Sequence, residues 1–291
     1  MNGVLIIDKP AGLTSHDVVA RVRRILQQRA VGHLGTLDPI ATGVLPLVLG
    51  NMTRLAQFYL ASEKSYEGVV RFGFATDTYD AEGQPAGEPK DVSLSLDQLR
   101  EWAGKFRGVI EQMPPPFSAK KVQGVPAYKL ARKKKDVALK PVRVEIKEFE
   151  ILSVDGPRAR FRARVASGTY MRSVAHDLGQ VARCGAHLES LRRTAVAEFT
   201  LEDAHTLERL EQAAQGGEVE PLLVHPRKLL PLLPSVTATD EVAARIRHGR
   251  PVNLPELSRA REVKVFYGQR ELIAISTRVA GTLFHPRIVL G

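Results

Sequence analysis

The sequence predicts a mixed α/β protein that ends in a small, mostly β appendage. Three observations predict this. Through residues 1–200, apolar residues recur at helical spacing in some segments and alternate at strand spacing in others. Composition shifts at Gly216-Gly217 and then through a Leu- and Pro-rich stretch, 221–234, that reads as a packed linker. Beyond it come one short helical run and several short strand-like runs. At 291 residues and 44% hydrophobic the chain also exceeds one small domain, so two domains are expected, 1–234 and 235–291.

Val4 to Ile7 reads as a buried strand, stopped by Asp8-Lys9-Pro10 and Gly12. Thr14 and Asp17 have capping-box spacing, so a helix follows, with Val18, Val19, Val22, Ile25 and Leu26 on one face and Arg21, Arg23 and Arg24 largely off it. The run GHLGTLDPIATG, Gly32 to Gly43, has too many breakers for a regular element and suits a shaped loop. Tyr66 to Phe74 alternates as a strand, and Leu96, Leu99, Trp102 and Phe106 mark a helix. Val142 to Val154 and Arg158 to Val165 are further strands. In the second, Arg158, Arg160, Arg162 and Arg164 share one face and Phe161, Ala163 and Val165 the other, which predicts a basic outer surface. After the turn at Ser167-Gly168, a helix runs from Met171 to about Arg183, and His187 to Phe199 returns as a strand. The appendage contributes a helix at Glu241–His248 and strands at Val263–Tyr267, Glu271–Ser276 and Leu283–Leu290.

Charge narrows the partner. With 42 Lys and Arg against 32 Asp and Glu, the net charge is +10, which favours a polyanion and nucleic acid first. Nine basic residues and one acid, Asp136, fall between Ser118 and Arg143. Such a run fits a solvated surface as well as a phosphate-gripping arm. One cysteine, Cys184, excludes an internal disulfide and a cysteine metal cluster and suits a reducing compartment. The N-terminus lacks the pattern of a signal peptide, and no stretch approaches the ~20 apolar residues of a membrane span. A soluble cytoplasmic protein is expected.

No cofactor or metal box is evident: HExxH and CxxC are absent, and the glycine loop lacks both the P-loop ending and the GxGxxG turn. Asp38, between Leu37 and Pro39, fits an ordinary Asp-Pro turn as well as a catalytic carboxylate. His33 by itself fits a turn, Tyr66 and Tyr170 fit core packing with bonded hydroxyls, and Leu191 fits core.

GHLGTLDPIATG resembles the catalytic motif of the TruB family, Gly-His-x-Gly-x-Leu-Asp-Pro-x-Ala-x-Gly. Further segments resemble family motifs in the family's order: Asn2 to Leu13, Lys64-Ser65-Tyr66, Gln112 to Pro115 followed by Phe117-Ser118-Ala119-Lys120, Ser167 to Ser173, and Gly185-Ala186-His187 with Leu191-Arg192-Arg193-Thr194. The resemblance is clear over residues 2–200 and weakens beyond. It implies a pseudouridine synthase fold, with a central mixed, largely antiparallel sheet, a basic thumb-like insert at about 114–143 and a small PUA-like C-terminal domain. The activity it implies is isomerisation of uridine 55 in the tRNA T-arm loop to pseudouridine, by base flipping, without cofactor or metal. Asp38 would be the essential carboxylate and Arg172 its cation. Tyr66 would stack on the flipped uracil, His33 would fill the gap the base leaves, and Tyr170 and Leu191 would shape the pocket. Lys64, Lys120, Arg132 and Lys133 are expected to bind substrate. The protein is expected to act on the T-arm stem-loop as a monomer, with no obligatory protein partner. The alternatives are a relative guided by H/ACA RNA and an RNA-folding protein with a vestigial pocket.

Overall fold

A computed structural model describes residues 1–116 and 140–291, with the strand pairs 121–122 and 125–126 between them. Strand β1 (Gly3–Lys9) leads through Gly12 into helix α1 (Ser15–Ile25). Thr14 caps it as its spacing predicts: the hydroxyl accepts the Asp17 N–H at 3.0 Å and the Asp17 carboxylate accepts the Thr14 N–H at 2.8 Å. Caps of this kind contribute about 1 kcal/mol. The helix buries Val18, Val19 and Val22 in the main core. Strand β2 (Val31–His33) and strand β3 (Thr42–Leu49) flank the glycine-framed loop, so both ends of that run are strand rather than loop. A 3-10 turn at Gly50–Leu55 and a four-residue helix, α2 (Ala56–Tyr59), lead to β4 (Lys64–Phe72). Then come α3 (Leu96–Gly104), β5 (Gly108–Gln112), β6 (Val142–Asp155), β7 (Arg158–Val165), α4 (Met171–Val181), β8 (Ala186–Val196) and α5 (Leu207–Gln215). Phe106 lies past the end of α3, though its ring remains in the core.

The main sheet is mixed and largely antiparallel, in the order 204–205, β1, β3, β8, β4, β7, β6, β5. The edge of β3 that faces β8 is shared. It pairs with β8 in parallel only at Thr42 and Gly43, and with β2 from Leu47 to Leu49. The loop at 34–41 joins β2 to β3 beside this split. Gly43 makes the crossing possible, because its φ is +99° and a Cβ there would lie 2.2 Å from the Arg193 carbonyl oxygen. Alternation cannot reveal β3, which is buried along almost its whole length and carries Pro46 in its middle.

On β7 the alternation holds, with Ala159, Phe161, Ala163 and Val165 buried. The basic outer surface is mostly neutralised. Arg158 pairs with Glu189 (2.8 Å), Arg162 with Glu150 (2.9 Å) and Arg164 with Glu148 (2.6 Å) and Glu63 (3.3 Å), so of the four arginines Arg160 alone has no ion pair among the described residues.

The C-terminal part forms a separate five-stranded sheet: β9 (Ser235–Ala238), then, after helix α6 (Asp240–Arg247), β10 (Glu262–Tyr267), β11 (Glu271–Ala280) and β12 (Leu283–Val289), with 252–253 at the far edge. It packs on the main sheet through one apolar cluster, in which Phe266, Leu272, Ile275 and Ile288 meet Val4, Ile6, Val48 and Leu55.

Gly43→Ala should destabilise the protein by about 3 kcal/mol or more, since left-handed strain and backbone overlap add. Gly12→Ala, at φ +83° with open space around it, should cost about 1 kcal/mol. Urea unfolding of the two variants measures the difference.

Candidate active site

The loop at 34–41 is fixed from three sides. Its Asp38-Pro39-Ile40-Ala41 segment is a β-turn, closed by the Ala41 N–H on the Asp38 carbonyl at 3.0 Å, with Pro39 at its favoured second position. From α1, the buried Ser15 hydroxyl donates to the Leu37 carbonyl (3.1 Å) and accepts the Leu37 N–H (2.8 Å). From β1, the buried Lys9 ammonium donates to the carbonyls of Pro10 (2.8 Å) and Pro39 (3.2 Å). Burial pushes that ammonium down to about 8, against the opposing pull of Asp38 and Glu82. From β8, Arg193 sends its guanidinium under the loop: Nε donates to Val44 O (2.8 Å), Nη1 to Thr36 O (3.2 Å) and Nη2 to Gly35 O (3.1 Å). The charge of the same guanidinium acts on the Tyr66 hydroxyl.

The turn aims the Asp38 carboxylate at Arg172 on the first turn of α4. Arg172 Nη2 donates to one Asp38 oxygen at 3.1 Å while Nε lies 2.9 Å from the other, so the two groups meet side-on. A cation at a helix N-terminus opposes the helix dipole, and the Arg172 side chain is only 6% exposed, so one carboxylate is a thin counterweight. A second stands behind it: Asp80, 5% exposed, lies 3.5 Å from Nη1, which also donates to the Thr78 carbonyl at 3.3 Å. Asp80 is itself held by the Thr78 hydroxyl (2.6 Å) and the Glu82 N–H (3.1 Å). The start of α4 has no side-chain cap of its own. Gln112, at the end of β5, takes that place, accepting the Tyr170 N–H at 2.8 Å and donating to the Tyr170 carbonyl at 3.1 Å.

Above these groups lies a cavity of about 360 Å³. Of the residues singled out from sequence, Asp38, Tyr66, Arg172, His33, Tyr170, Leu191 and Lys64 all line it. Lys120, Arg132 and Lys133 lie outside the described residues, as does most of the basic segment 118–143. Tyr66 is buried, which raises its phenol, while Arg193 opposes the rise. His33 accepts the Gly35 N–H on Nδ1 (3.3 Å); burial and Arg193 hold it below the usual histidine range, so it is neutral with its proton on Nε2. Lys64 donates to the Ser62 carbonyl (2.7 Å) and is brought down to about 8 by burial and by Arg193. Asp38 is the most accessible charge of the pair, with 36% of its side chain exposed toward the cavity mouth.

Sequence reasoning missed Lys9, Ser15, Asp80, Gln112 and Arg193 as parts of this site. Lys9, Gln112 and Arg193 lie inside segments that carry the family resemblance, which was their one signal; Asp80 falls in a polar stretch without pattern.

The mixed sheet thus gathers a carboxylate, its paired arginine and a buried tyrosine around one cavity. The family model described as TruB family pseudouridylate synthase (N terminal domain) matches residues 23–171, and that of the tRNA pseudouridylate synthase B C-terminal domain matches 172–230. The chain is 51% identical to the tRNA pseudouridine synthase B of Solibacter usitatus over all of both chains, and 39% identical to that of Aquifex aeolicus, again over both full lengths. The chain belongs to the TruB family. Among solved structures it resembles a chain of a Cbf5-Nop10-Gar1 complex (28% identity, TM-score 0.70, covering 96% of this chain and 79% of that one). It also resembles a chain of an H/ACA RNP bound to a substrate RNA containing 2'-deoxyuridine (26%, 0.72, 99% and 85%). Neither family model reaches the second sheet, but the full-length relatives do.

Arg172→Met should lower stability by about 3 kcal/mol, because it strands the buried Asp80 carboxylate. Asp38→Asn, at the more exposed carboxylate, should cost less than about 1 kcal/mol. Thermal and urea unfolding of the two variants check the order.

Proposed function

We propose that this protein converts the uridine at position 55 in the T-arm loop of tRNA to pseudouridine, acting alone as a cytoplasmic monomer. The observation that carries the reading is the side-on Asp38–Arg172 pair at the mouth of a nucleoside-sized cavity. The reaction breaks the C1′–N1 bond, turns the uracil and joins C5 to the same sugar carbon; the proton leaving C5 is matched by one gained at N1. No atom is lost, and no oxidant or nucleotide is consumed. The target must first leave its stack, at a cost of a few kcal/mol.

In this reading Asp38 acts at the sugar, as nucleophile or as base, and Arg172 keeps its two oxygens in place. The Tyr66 ring stacks on the extruded uracil. Its hydroxyl lies in the field of the buried Arg193 guanidinium, which opposes the rise that burial gives the phenol. Neutral His33 fills the vacated place in the loop, Tyr170 and Leu191 close the sides, and Lys64 meets a phosphate. Residues 1–234 form the catalytic domain and 235–291 the appendage. The basic insert at 114–143, with Lys120, Arg132 and Lys133, grips the RNA backbone. The 51% identity to a protein named as a tRNA enzyme, against 26–28% to Cbf5 chains, favours the stand-alone form over a guided one.

Purified protein incubated with an unmodified tRNA transcript, without metal or guide, should yield one pseudouridine, at position 55, mapped by chemical adduct and primer extension. Asp38→Asn should lower the rate by about 10³-fold or more while leaving binding nearly unchanged. No product on bare tRNA, restored by a guide RNA with accessory proteins, would sink the stand-alone reading.

Lys64 supplies a pH signature. Its free pKa is near 8, and a bound phosphate raises it, so tRNA affinity should be steady below pH 8 and fall as pH rises above it. Lys64→Arg should remove that fall, read from dissociation constants between about pH 7 and 9.5.

A further inference from the structure

The cavity wall that includes α2 has almost no stability of its own. A four-residue helix is far below the length that holds together in water, and α2 has no side-chain cap. Its shape is imposed from outside. On the cavity side Ala56, Tyr59 and Leu60 line the pocket, and Leu60 stands 74% exposed at the mouth, its carbonyl taking the Ser167 hydroxyl at 2.7 Å from the turn before α4.

The opposite side rests on the C-terminal sheet. Asn51 Nδ2 donates to Leu290 O (3.0 Å) and Arg54 Nη1 to Val289 O (2.8 Å). Arg287 of β12 donates to Gln57 Oε1 (3.1 Å) and lies over the Phe58 ring, 5.6 Å from its centre. Beneath, Leu55 and Tyr59 share the apolar cluster with Leu272, Ile288 and Leu290. The Tyr59 hydroxyl donates to Glu198 (2.6 Å), whose same oxygen accepts the Leu230 N–H (2.9 Å), and the buried Lys264 of β10 donates to Leu229 O at 2.7 Å. The connection between the sheets is thus tied to the wall and to the appendage at once.

We infer that the C-terminal sheet is a brace for the catalytic pocket: it sets the position of the 50–60 wall, and through Leu60 the closure of the cavity on the flipped nucleotide. This rests on the uridine-isomerising reading above. Arg54 and Arg287 are positioning residues, neither of them part of the cavity lining. The brace acts equally on any RNA that enters the pocket, whereas an RNA-gripping appendage would matter only for an RNA long enough to reach it.

The test uses full-length Arg54→Ala, Arg287→Ala, the double variant, the two Lys replacements, and, as control, Arg245→Ala on α6, whose guanidinium donates to the Pro251 carbonyl at 3.0 Å. Each is assayed in single turnover at saturating RNA, on whole tRNA and on the isolated T-arm stem-loop. The double variant should lose about tenfold in rate on both RNAs with dissociation constants within about twofold of wild type, and the Lys forms should recover much of it. Arg245→Ala should behave as wild type. Amide exchange over residues 50–60 of the free protein should quicken in the double variant alone. A wild-type rate in the double variant, a loss confined to whole tRNA, or a loss in affinity only would overturn the brace. Should wild type modify neither RNA, the functional reading fails, and amide exchange then decides the brace: quickened exchange at 50–60 supports it and unchanged exchange overturns it.

Discussion

A guanidinium shut away from water must find an acceptor for the N–H groups it turns inward, and Arg193 finds them in the backbone around the Asp38 loop. Where β3 parts from β8, carbonyls that a continuous ladder would have used are left to be satisfied. Arg193 takes that of Val44, takes those of Gly35 and Thr36 in the loop as well, and sets its charge beside Tyr66. One side chain thereby joins two strands, the loop and the aromatic wall. Its burial is tolerable because these bonds are made together; losing one partner would leave the charge undersatisfied. The precision of the site rests on a polar knot rather than on apolar packing alone.

The charges around the cavity are unequal. Lys9, Lys64, Arg172 and Arg193 face Asp38 and Asp80, so among these groups positive charge exceeds negative in a region with little water. Such a site attracts a phosphate. The Arg–Glu ladder on β7 spends its charge differently. Three of its four arginines are matched at the surface, where each pair contributes little.

What was legible in the sequence was what local pattern encodes. The α1 cap was readable because Thr14 and Asp17 act on each other across one turn, and β7 because its inward residues alternate. The Asp38 turn was readable as a turn, since Asp-Pro dictates one; its purpose came from the motif around it. β3 was not readable, because burial on both faces removes alternation and Pro46 argues against a strand. Neither was Arg193: a strand pattern sends charges outward, and only the split in the sheet explains one pointing in. Asp80 meets Arg172 across a gap of ninety-two residues that no local rule spans. The β7 glutamate partners belong to β6, β8 and the approach to β4, so their neutralising effect depends on a register set by the whole sheet.

The basic insert leaves and rejoins the sheet at a single point. Gln112 and Val142 are register partners on adjacent antiparallel strands, so the ends of everything between them are already closed by the sheet. Each doubling of a closed loop costs only about 0.6 kcal/mol in chain entropy. Evolution can therefore lengthen, shorten or rewrite that segment with little effect on the folding of the rest. Its anchorage is less free: Gln112 holds Tyr170, and the Met113 carbonyl takes the Ser173 hydroxyl at 2.7 Å. The segment that the sheet leaves free to change in length is thus joined to a closely bonded part of the molecule.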